Sequence, residues 1–198
     1  MMINLLKRVI SRIERGDWGT AKWKRSFRHF GEGSVIAYPG ILQNPGNISI
    51  GEKTTIHSNS RIQCFRQCDK NSSIIIGDRC FIGYFFTILN ASSVSLGNDV
   101  LIASHVLISS ENHGINPESD IQYMDQPLVT KPVSIGDGCW IGEKVCILPG
   151  VSIGKKSIIG AGSVVTKSIP DYCIAAGNPA KVIKKYNFET HKWECVRL

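Results

Sequence analysis

The amino-acid sequence predicts an all-β solenoid built from six-residue repeats, and three features of one segment lead to this prediction. Between residues 135 and 165 an aliphatic residue recurs at every sixth position, a glycine commonly follows it, and a compact residue comes four positions later. A period of six matches neither an α-helix nor a plain strand, but it fits a short strand followed by a turn. The aliphatic members of the repeat are Ile135, Ile141, Ile147, Ile153, Ile159 and Val165.

The compact residues define a second inward position in each repeat, so the predicted interior is narrow. Three repeats make one triangular coil, and stacked coils bury a continuous core. The same phase appears upstream, where we expect three more coils with turns that glycine permits. The compact residues are Cys139, Val145, Val151, Ser157 and Ser163, with Ile169 as a larger closing member. The upstream coils are Ile50, Ile56 and Ile62; Ile76, Ile82 and Ile88; and Leu96, Ile102 and Ile108.

The register of the repeat slips near residues 66–73 and 90–95, where we expect short insertions. A larger break, residues 109–131, contains Pro117, Pro127 and many polar residues. It predicts a long loop that protrudes from the solenoid. Long loops in compact folds are usually functional, so this loop is the first place to look for a site.

Three parts of the chain follow from these patterns. Residues 1–33 are expected to form a basic amphipathic helical cap, residues 34–170 the β-helix with its loop, and residues 171–198 a closing segment and tail. The cap is expected because the end of a solenoid exposes its core. Its apolar stripe has helical spacing and consists of Met2, Leu6, Val9 and Ile13.

Composition limits the class of protein. The chain has 198 residues, 42% of them hydrophobic, which is enough for one sizeable core. It shows neither a run of roughly 20 apolar residues nor a signal-peptide pattern, so a cytoplasmic location is expected. The seven cysteines are odd in number, and Cys64 and Cys68 lack a second pair at zinc-site spacing, so we expect structural or surface thiols and no metal site.

The positive charge is concentrated at one end of the chain. The formal net charge is +7, and residues 1–30 carry eight basic residues against two acidic ones. One interpretation is a solvated helix face. The other is contact with an anionic membrane surface or an anionic acceptor. No nucleic-acid partner is expected.

Three stretches carry a resemblance to a known family: LIASHVLISSENHGI, CWIGEKVCILPGVSIG and GAGSVVTKSIPDYCIAAGNPAKVIKKY. Residues 34–185 resemble the hexapeptide-repeat acyltransferases, and most of all the maltose, galactoside and polysaccharide O-acetyltransferases. The resemblance implies a left-handed parallel β-helix, acetyl-CoA as co-substrate, no metal, and a homotrimer with active sites between subunits. It also implies a carbohydrate acceptor.

His113, at the start of the protruding loop, matches the family's catalytic histidine. Acyl transfer from a thioester to an alcohol requires removal of the hydroxyl proton as the oxygen attacks, and histidine is the commonest general base near neutral pH. The alternative is a solvated loop histidine. His57 and His105 are interpreted as polar turn residues, and a zinc site of the gamma-class carbonic anhydrase kind is not expected, because the spacing of these histidines does not match it.

The resemblance also implies the residues that hold coenzyme A. Gly142, Gly160 and Ala161 would leave a flat groove with exposed backbone amides for the thioester arm. Trp140 would line the acceptor end of the groove, or else pack at a subunit interface. Four residues match positions beside the nucleotide and its phosphates: Thr166, Lys167, Lys181 and Lys184. The family often has arginine at the last two positions, and lysine cannot form arginine's bidentate contact.

Two further residues are predicted on the acceptor side. Asn90, followed by Ala91, lies where sugar-acetylating relatives carry an acidic residue, so the missing carboxylate speaks against maltose or a galactoside as the acceptor. Glu111 is close enough in sequence to His113 to orient it or to bind the acceptor. The expected function is O-acetylation of a sugar, in surface polysaccharide biosynthesis. The alternatives are N-acetylation of an amino sugar or amine drug, and a non-catalytic β-helix scaffold.

Overall fold

The computed structural model describes residues 18–38, 40–65 and 72–196, so the predicted apolar stripe at residues 2–13 and the Cys68 thiol lie outside the described residues. The described chain begins with helix α1 (Trp18–Trp23), followed by a 3-10 turn at Lys24–Ser26. After this turn the chain enters parallel strands, and no described helix is long and apolar enough to cross a membrane.

Three parallel sheets form the sides of the solenoid in the described residues. Sheet A stacks β1 (His29–Phe30), β4 (Ile48–Ile50), β7 (Ser73–Ile76), β10 (Ser93–Leu96), β15 (Val133–Ile135) and β18 (Ser152–Ile153). Sheet B stacks β2 (Val35–Ile36), β5 (Thr55–Ile56), β8 (Phe81–Ile82), β11 (Leu101–Ile102), β16 (Trp140–Ile141), β19 (Ile158–Ile159) and β21 (Cys173–Gly177). Sheet C stacks β3 (Ile41–Gln43), β6 (Arg61–Cys64), β9 (Thr87–Asn90), β12 (Leu107–Ser109), β17 (Cys146–Ile147) and β20 (Val164–Val165).

The core is a set of aliphatic columns that run along the solenoid axis. In sheet A, Ile76 pairs with Leu96 and Leu96 pairs with Ile135, and all three side chains are buried. Equivalent columns run through sheets B and C, so the parallel β-helix and all the coils expected from the sequence are confirmed. Each buried aliphatic side chain contributes about 1.5–3 kcal/mol of burial free energy. The stacked array therefore supplies the stability that one coil cannot.

Two of the three corners have a constant geometry. Each connection from sheet A to sheet B, and each from sheet B to sheet C, is four residues long from β1 to β20. The third residue of these turns has a positive φ at every described position, and it is usually not glycine: Lys53, Arg79, Asp99, His105 and Lys144 are examples. The left-handed backbone conformation thus occurs two residues after the glycine, whereas the sequence pattern assigned the turn to the glycine itself.

The glycine that follows the aliphatic residue has a different function from the one expected. A Cβ atom on Gly77 would lie 2.6 Å from the carbonyl carbon of Gly97 in the next coil. No side chain fits at that distance, so this glycine allows consecutive coils to approach each other. Its role is close stacking, because the positive φ occurs at Arg79 instead.

The third corner, between sheets C and A, takes all the irregularity of the fold. Its connections range from residues 91–92 to the long segment 110–132. We call this edge the C–A corner. The protruding loop leaves the solenoid here, and the register slip near residues 90–95 also falls here, where only residues 91–92 connect β9 to β10, so no insertion protrudes at that point. Most of the slip expected near residues 66–73 lies outside the described residues.

The solenoid extends past both predicted boundaries. Strand β1 at His29–Phe30 already pairs with β4, inside the segment 1–33 assigned to the cap, because Phe30 packs on the core where an aliphatic residue was sought. At the other end β21 pairs with β19 beyond residue 170, and Ala175 continues the column of Ile159. Antiparallel strands β22 (Ala180–Asn187) and β23 (Lys192–Cys195) then extend sheet B.

Both ends of the described solenoid carry additional contacts. At the first coil, the Thr20 hydroxyl accepts a hydrogen bond from the Ile36 amide at 2.8 Å, which attaches α1 to sheet B. At the last coil, Phe188 packs edge-on against Tyr172 with ring centroids 4.8 Å apart. The tail that follows the solenoid is therefore folded back on its final turn.

Candidate functional site

The protruding loop is a two-stranded ribbon with an irregular tip. Strand β13 (Glu111–Asn112) pairs antiparallel with β14 (Val129–Thr130), so both arms leave the C–A corner together. The amide of Lys131 donates to the carbonyl of Ser110 at 2.9 Å and closes the base of the ribbon. His113 is the first residue beyond the paired strand β13, and it is exposed.

A cavity of about 420 Å³ opens beside His113. Its walls come from the loop itself and combine the imidazole with apolar and aromatic surface. The lining residues are Asn112, His113, Gly114, Ile115, Tyr123 and Val129. A cavity of this size, with a few polar groups and a mostly apolar wall, is of the kind that holds a small organic ligand.

Glu111 is partly buried in strand β13, where it pairs with Thr130. Within the described part of the chain its carboxylate lies farther than 4.0 Å from the nitrogen atoms of His113, since no ion pair joins them. Within this chain, the structure does not bring Glu111 and His113 together as an orienting pair.

Asn90 does not face the site, and its assignment as an acceptor contact is wrong. The residue is fully buried at the end of β9, under the base of the loop. Its side-chain oxygen accepts a 2.7 Å hydrogen bond from Ser110 Oγ, and its amide group donates to the Ser73 carbonyl at 3.2 Å. The physical reason is strand geometry: Asn90 lies two residues after the inward-pointing Ile88, on the same face of the strand.

Ser110 completes this buried network. Its hydroxyl accepts the amides of Ala91 and Ser92 at 3.1 and 3.2 Å. Asn90 and Ser110 thus satisfy the backbone groups that become unpaired where the chain leaves sheet C. The pair sits between the coil and the ribbon that carries His113.

Trp140 is half exposed on the outer face of sheet B, in β16. It pairs with Leu101 on one side and with Ile158 on the other. Phe81, paired with Leu101, is also half exposed, so an apolar row runs along this face. The structure places Trp140 on a surface that can contact either a ligand or another copy of the chain.

The three small residues of the predicted groove lie at the corner between sheets B and C. Gly142 is buried and donates its amide to Ile159 at 2.9 Å, and Gly160 donates to Ala175 at 2.8 Å. These two amides are therefore not available to a ligand, contrary to the expectation. The expectation failed because the amide that follows an inward residue is needed for the hydrogen bonds between coils. Ala161 is exposed, as a groove-lining residue would be.

The predicted nucleotide contacts fall in two places. Thr166 and Lys167 are exposed directly after β20, at the C–A corner. Lys181 and Lys184 lie on β22, where they pair with Ala176 and Ile174 of sheet B.

The candidate residues therefore form two groups on different edges of one prism. His113, Thr166 and Lys167 belong to the C–A corner. The other group occupies sheet B and its corner with sheet C, and it comprises Trp140, Gly142, Gly160, Ala161, Lys181 and Lys184. A single chain does not bring these groups together across the solid core.

The remaining histidines and several cysteines have structural surroundings. Burial lowers the pKa of His57, which packs against Phe81 and Tyr84 with ring centroids 4.9 and 4.5 Å apart. Burial also raises the pKa of the Cys139 thiol, which is a core residue. In the ranges that the structure describes, no three His, Cys, Asp or Glu side chains are grouped as a metal site would require.

The sequence analysis did not predict the burial of two polar residues, Asn90 at the end of β9 and Gln126 in the loop. Alternation along β9 predicts that Asn90 points inward with Ile88, and this signal was available. Gln126, buried in the loop between exposed Asp125 and Pro127, has no signal in the sequence. A polar residue in a polar segment gives no periodicity from which burial follows.

Comparison with known proteins supports the same class of fold. The family model described as "hexapeptide repeat of succinyl-transferase" matches residues 73–109 and 132–167. The chain is 39% identical over 168 residues to the putative lipopolysaccharide biosynthesis O-acetyl transferase WbbJ of Escherichia coli (strain K12). That match covers 81% of this chain and 83% of the relative.

Two solved structures extend the comparison. A galactoside acetyltransferase in complex with coenzyme A is 32% identical, with a TM-score of 0.59, over 84% of this chain and 68% of that one. The N-acyltransferase AntD from Bacillus cereus is 21% identical, with a TM-score of 0.74 over 88% and 92% of the two chains. The second likeness concerns the fold alone. The left-handed parallel β-helix expected from the sequence is confirmed.

The buried network gives a stability prediction. Asn90→Ala leaves the Ser110 hydroxyl and the Ser73 carbonyl without their partner, so we expect a loss of about 2–3 kcal/mol in the free energy of unfolding. Urea denaturation at a fixed protein concentration measures it. The control is Asn112→Ala, an exposed asparagine of β13, which should change stability by less than about 0.5 kcal/mol. Equal effects of the two substitutions would contradict the network.

Proposed function

From the premise that this chain belongs to the hexapeptide-repeat acetyltransferases, as its identity to WbbJ over most of both chains shows, we propose that His113 is the general base of its reaction. The enzyme moves an acetyl group from acetyl-CoA to a hydroxyl of a sugar. The observation that carries the proposal is the exposed imidazole at the mouth of a loop cavity, on a ribbon fixed to a rigid coil.

The proposed chemistry is a direct transfer within a ternary complex. His113 removes the proton of the acceptor hydroxyl as its oxygen attacks the thioester carbonyl. The tetrahedral intermediate collapses with departure of the coenzyme A thiolate, and the imidazolium returns its proton to that sulfur. The protein atoms involved begin and end in the same state, so no covalent enzyme intermediate is needed.

The split between two edges supports a site shared by two subunits. His113, Thr166 and Lys167 of one copy would face Trp140, Ala161 and the lysines of β22 from another. In a cyclic trimer each copy presents one edge to one neighbour and the other edge to the other neighbour, so three equivalent sites form and the ring closes. We therefore propose a homotrimer with acetyl-CoA in the groove between neighbours.

The acceptor that we propose is a carbohydrate of a surface polysaccharide or lipopolysaccharide. Its support is the likeness to a relative named for lipopolysaccharide biosynthesis, together with the cavity wall of Ile115 and Tyr123. Aromatic and aliphatic side chains pack well on the apolar faces of sugar rings. We place the enzyme in the cytoplasm, where acetyl-CoA is available.

Release of the coenzyme A thiol tests this function. The assay presents acetyl-CoA with methyl β-galactoside, methyl α-glucoside, N-acetylglucosamine, sialic acid and glucosamine. Mass spectrometry of the product shows whether an O-acetyl ester or an N-acetyl amide has formed. Transfer only to the amine of glucosamine would contradict O-acetylation, and absence of transfer to all five by folded protein that binds coenzyme A would contradict the proposed acceptor class.

His113→Ala is expected to lower kcat by about 10²–10⁴-fold, because the proton acceptor is lost. The KM for acetyl-CoA should be unchanged, since the substitution leaves the lysines and the coil intact. His105→Ala, an exposed histidine stacked on Phe85 in a turn of the coil, is the matched control and should retain turnover. Near-native turnover by the His113 variant would exclude it as the base.

Lys167 and Lys181 are proposed to contact the anionic half of coenzyme A. Replacing either with Glu reverses a charge beside the phosphates, and we expect KM for acetyl-CoA to rise about fivefold or more. Lys53→Glu, at a distant corner of the second coil, controls for the general change in charge. If the KM for acetyl-CoA is the same in the Lys167, Lys181 and Lys53 variants, the coenzyme A groove does not run past Lys167 and Lys181.

The basic N-terminal segment supports peripheral binding at the inner face of the membrane. Within the described residues Lys22, Lys24 and Arg25 are all exposed, and residues 1–30 hold nearly all the net charge of the protein. Near an anionic bilayer each basic residue contributes on the order of 1 kcal/mol, and salt screens the effect. Binding there would bring the enzyme to an acceptor carried on a lipid.

Co-sedimentation with liposomes tests this binding. The full chain should bind vesicles of phosphatidylglycerol and phosphatidylcholine at low salt, but not vesicles of phosphatidylcholine alone. Neutralising Lys22, Lys24 and Arg25 together with Gln should weaken binding by about 10²-fold. The same number of changes at Lys53, Lys144 and Lys156 serves as the control. If active enzyme does not bind anionic vesicles, the membrane proposal is wrong and the segment serves only as a cap.

A further inference from the structure

The tip of the protruding loop is folded around one buried polar side chain. Gln126 is 7% exposed, although Asp125 and Pro127 on either side of it are exposed. The loop has few apolar groups that are buried, and Ile115, Tyr123 and Met124 all face solvent in this chain. A conventional hydrophobic core therefore does not hold the tip together.

Hydrogen bonds from Gln126 join the two arms of the tip. Its Oε1 accepts the amide of Asn116 at 3.0 Å. Its Nε2 donates to the carbonyls of Asn116 and Ile121, each at 3.0 Å. Both donors and one acceptor position of the amide are thus used on backbone groups, two of them on Asn116 of the arm that follows β13 and one on Ile121 of the tip. Gln126 itself is buried while Asn116 and Ile121 are exposed, so these bonds tie two solvent-facing stretches of the tip to one buried side chain.

The residue next to His113 packs directly on this amide. A Cβ atom at Gly114 would lie 2.8 Å from Cβ and from Oε1 of Gln126, and 3.1 Å from the carbonyl oxygen of Pro127. The backbone that carries His113 therefore rests against the Gln126 side chain without intervening atoms. A shift of Gln126 moves that backbone.

We propose that Gln126 is a positioning residue for His113, and this proposal rests on the proposed function of His113 as the base. Gln126 touches neither cofactor nor acceptor. It fixes the tip so that the imidazole points into the cavity beside Ile115 and Tyr123. A misplacement of about 1 Å at a reacting group lowers rates by as much as 10²-fold, so a hydrogen-bonded brace one residue away is sufficient to control kcat.

The first test is a double-mutant cycle on kcat, measured with the best acceptor of the sugar panel. Gln126→Ala alone should lower kcat about 10- to 100-fold and leave KM for acetyl-CoA unchanged. In the His113→Ala background the same substitution should have no further effect, because Gln126 acts only through the imidazole. An equal loss in both backgrounds would show a general structural role and overturn the proposal.

The second test uses a conservative change and pH. Gln126→Glu keeps the shape and the acceptor, but its ionised carboxylate faces the carbonyls of Asn116 and Ile121. The protonated carboxyl can donate one of the two hydrogen bonds. Burial raises the pKa of such a group, so the ratio of variant to wild-type kcat should increase as pH falls. Gln122→Glu, an exposed glutamine of the same loop, is the control and should give a ratio independent of pH.

A third readout needs no acceptor. Hydrogen exchange should become faster at the Asn116 amide in the Gln126→Ala variant and stay unchanged in the coils. An unchanged exchange rate at that amide would contradict the brace. The outcomes separate the two proposals. Full activity of His113→Ala would refute His113 as the base. An inactive His113→Ala together with a fully active Gln126→Ala would refute only the positioning role of Gln126.

Discussion

Stacking of coils in register is the constraint on which the rest of this molecule depends. Each inward side chain, such as Ile102, lies over its equivalents Ile82 and Ile141 in the neighbouring coils, and each strand pairs with the strand of the next coil. Any residue added to a strand would break both the aliphatic column and the ladder. Two corners obey this constraint strictly, with four-residue turns throughout the first six coils. Variation is left to the C–A corner.

Because all irregular connections lie at one corner, some backbone groups there lose the hydrogen bonds that the ladder supplies elsewhere. Where the chain leaves the ladder, backbone groups lose their neighbours inside a solid prism. Asn90 and Ser110 replace those partners at the base of the ribbon. At the tip, outside the prism, the Gln126 side chain bonds the backbone of Asn116 and Ile121. The protruding loop is thus held by polar side chains in buried positions. An apolar core of the kind that holds the coils is not available to a segment of this size outside the prism.

Much of the architecture could be predicted from the sequence because it is periodic. The columns through Ile76, Ile82 and Ile88 follow directly from spacing, and so does the position of the loop. The details that failed are those that a period does not encode. Gly142 was assigned a free amide that the next coil requires. Asn90 was assigned to a ligand although its strand turns it inward, and Gln126 gave no signal because burial of a polar loop residue depends on backbone partners distant in the chain.

The rigidity of the prism also determines what the site can be. Sheets B and C are continuous walls, so a ligand cannot pass through the core to join Trp140 with His113. The two edges can meet only across a surface between copies, and the angle between the edges is fixed by the triangular section of the coil. The coils are held by continuous ladders and a packed core, whereas the ribbon is paired only with itself beyond the C–A corner. The network at Ser110 and the proposed brace at Gln126 therefore act on the ribbon that carries His113, and the coil supplies the frame against which its position is defined.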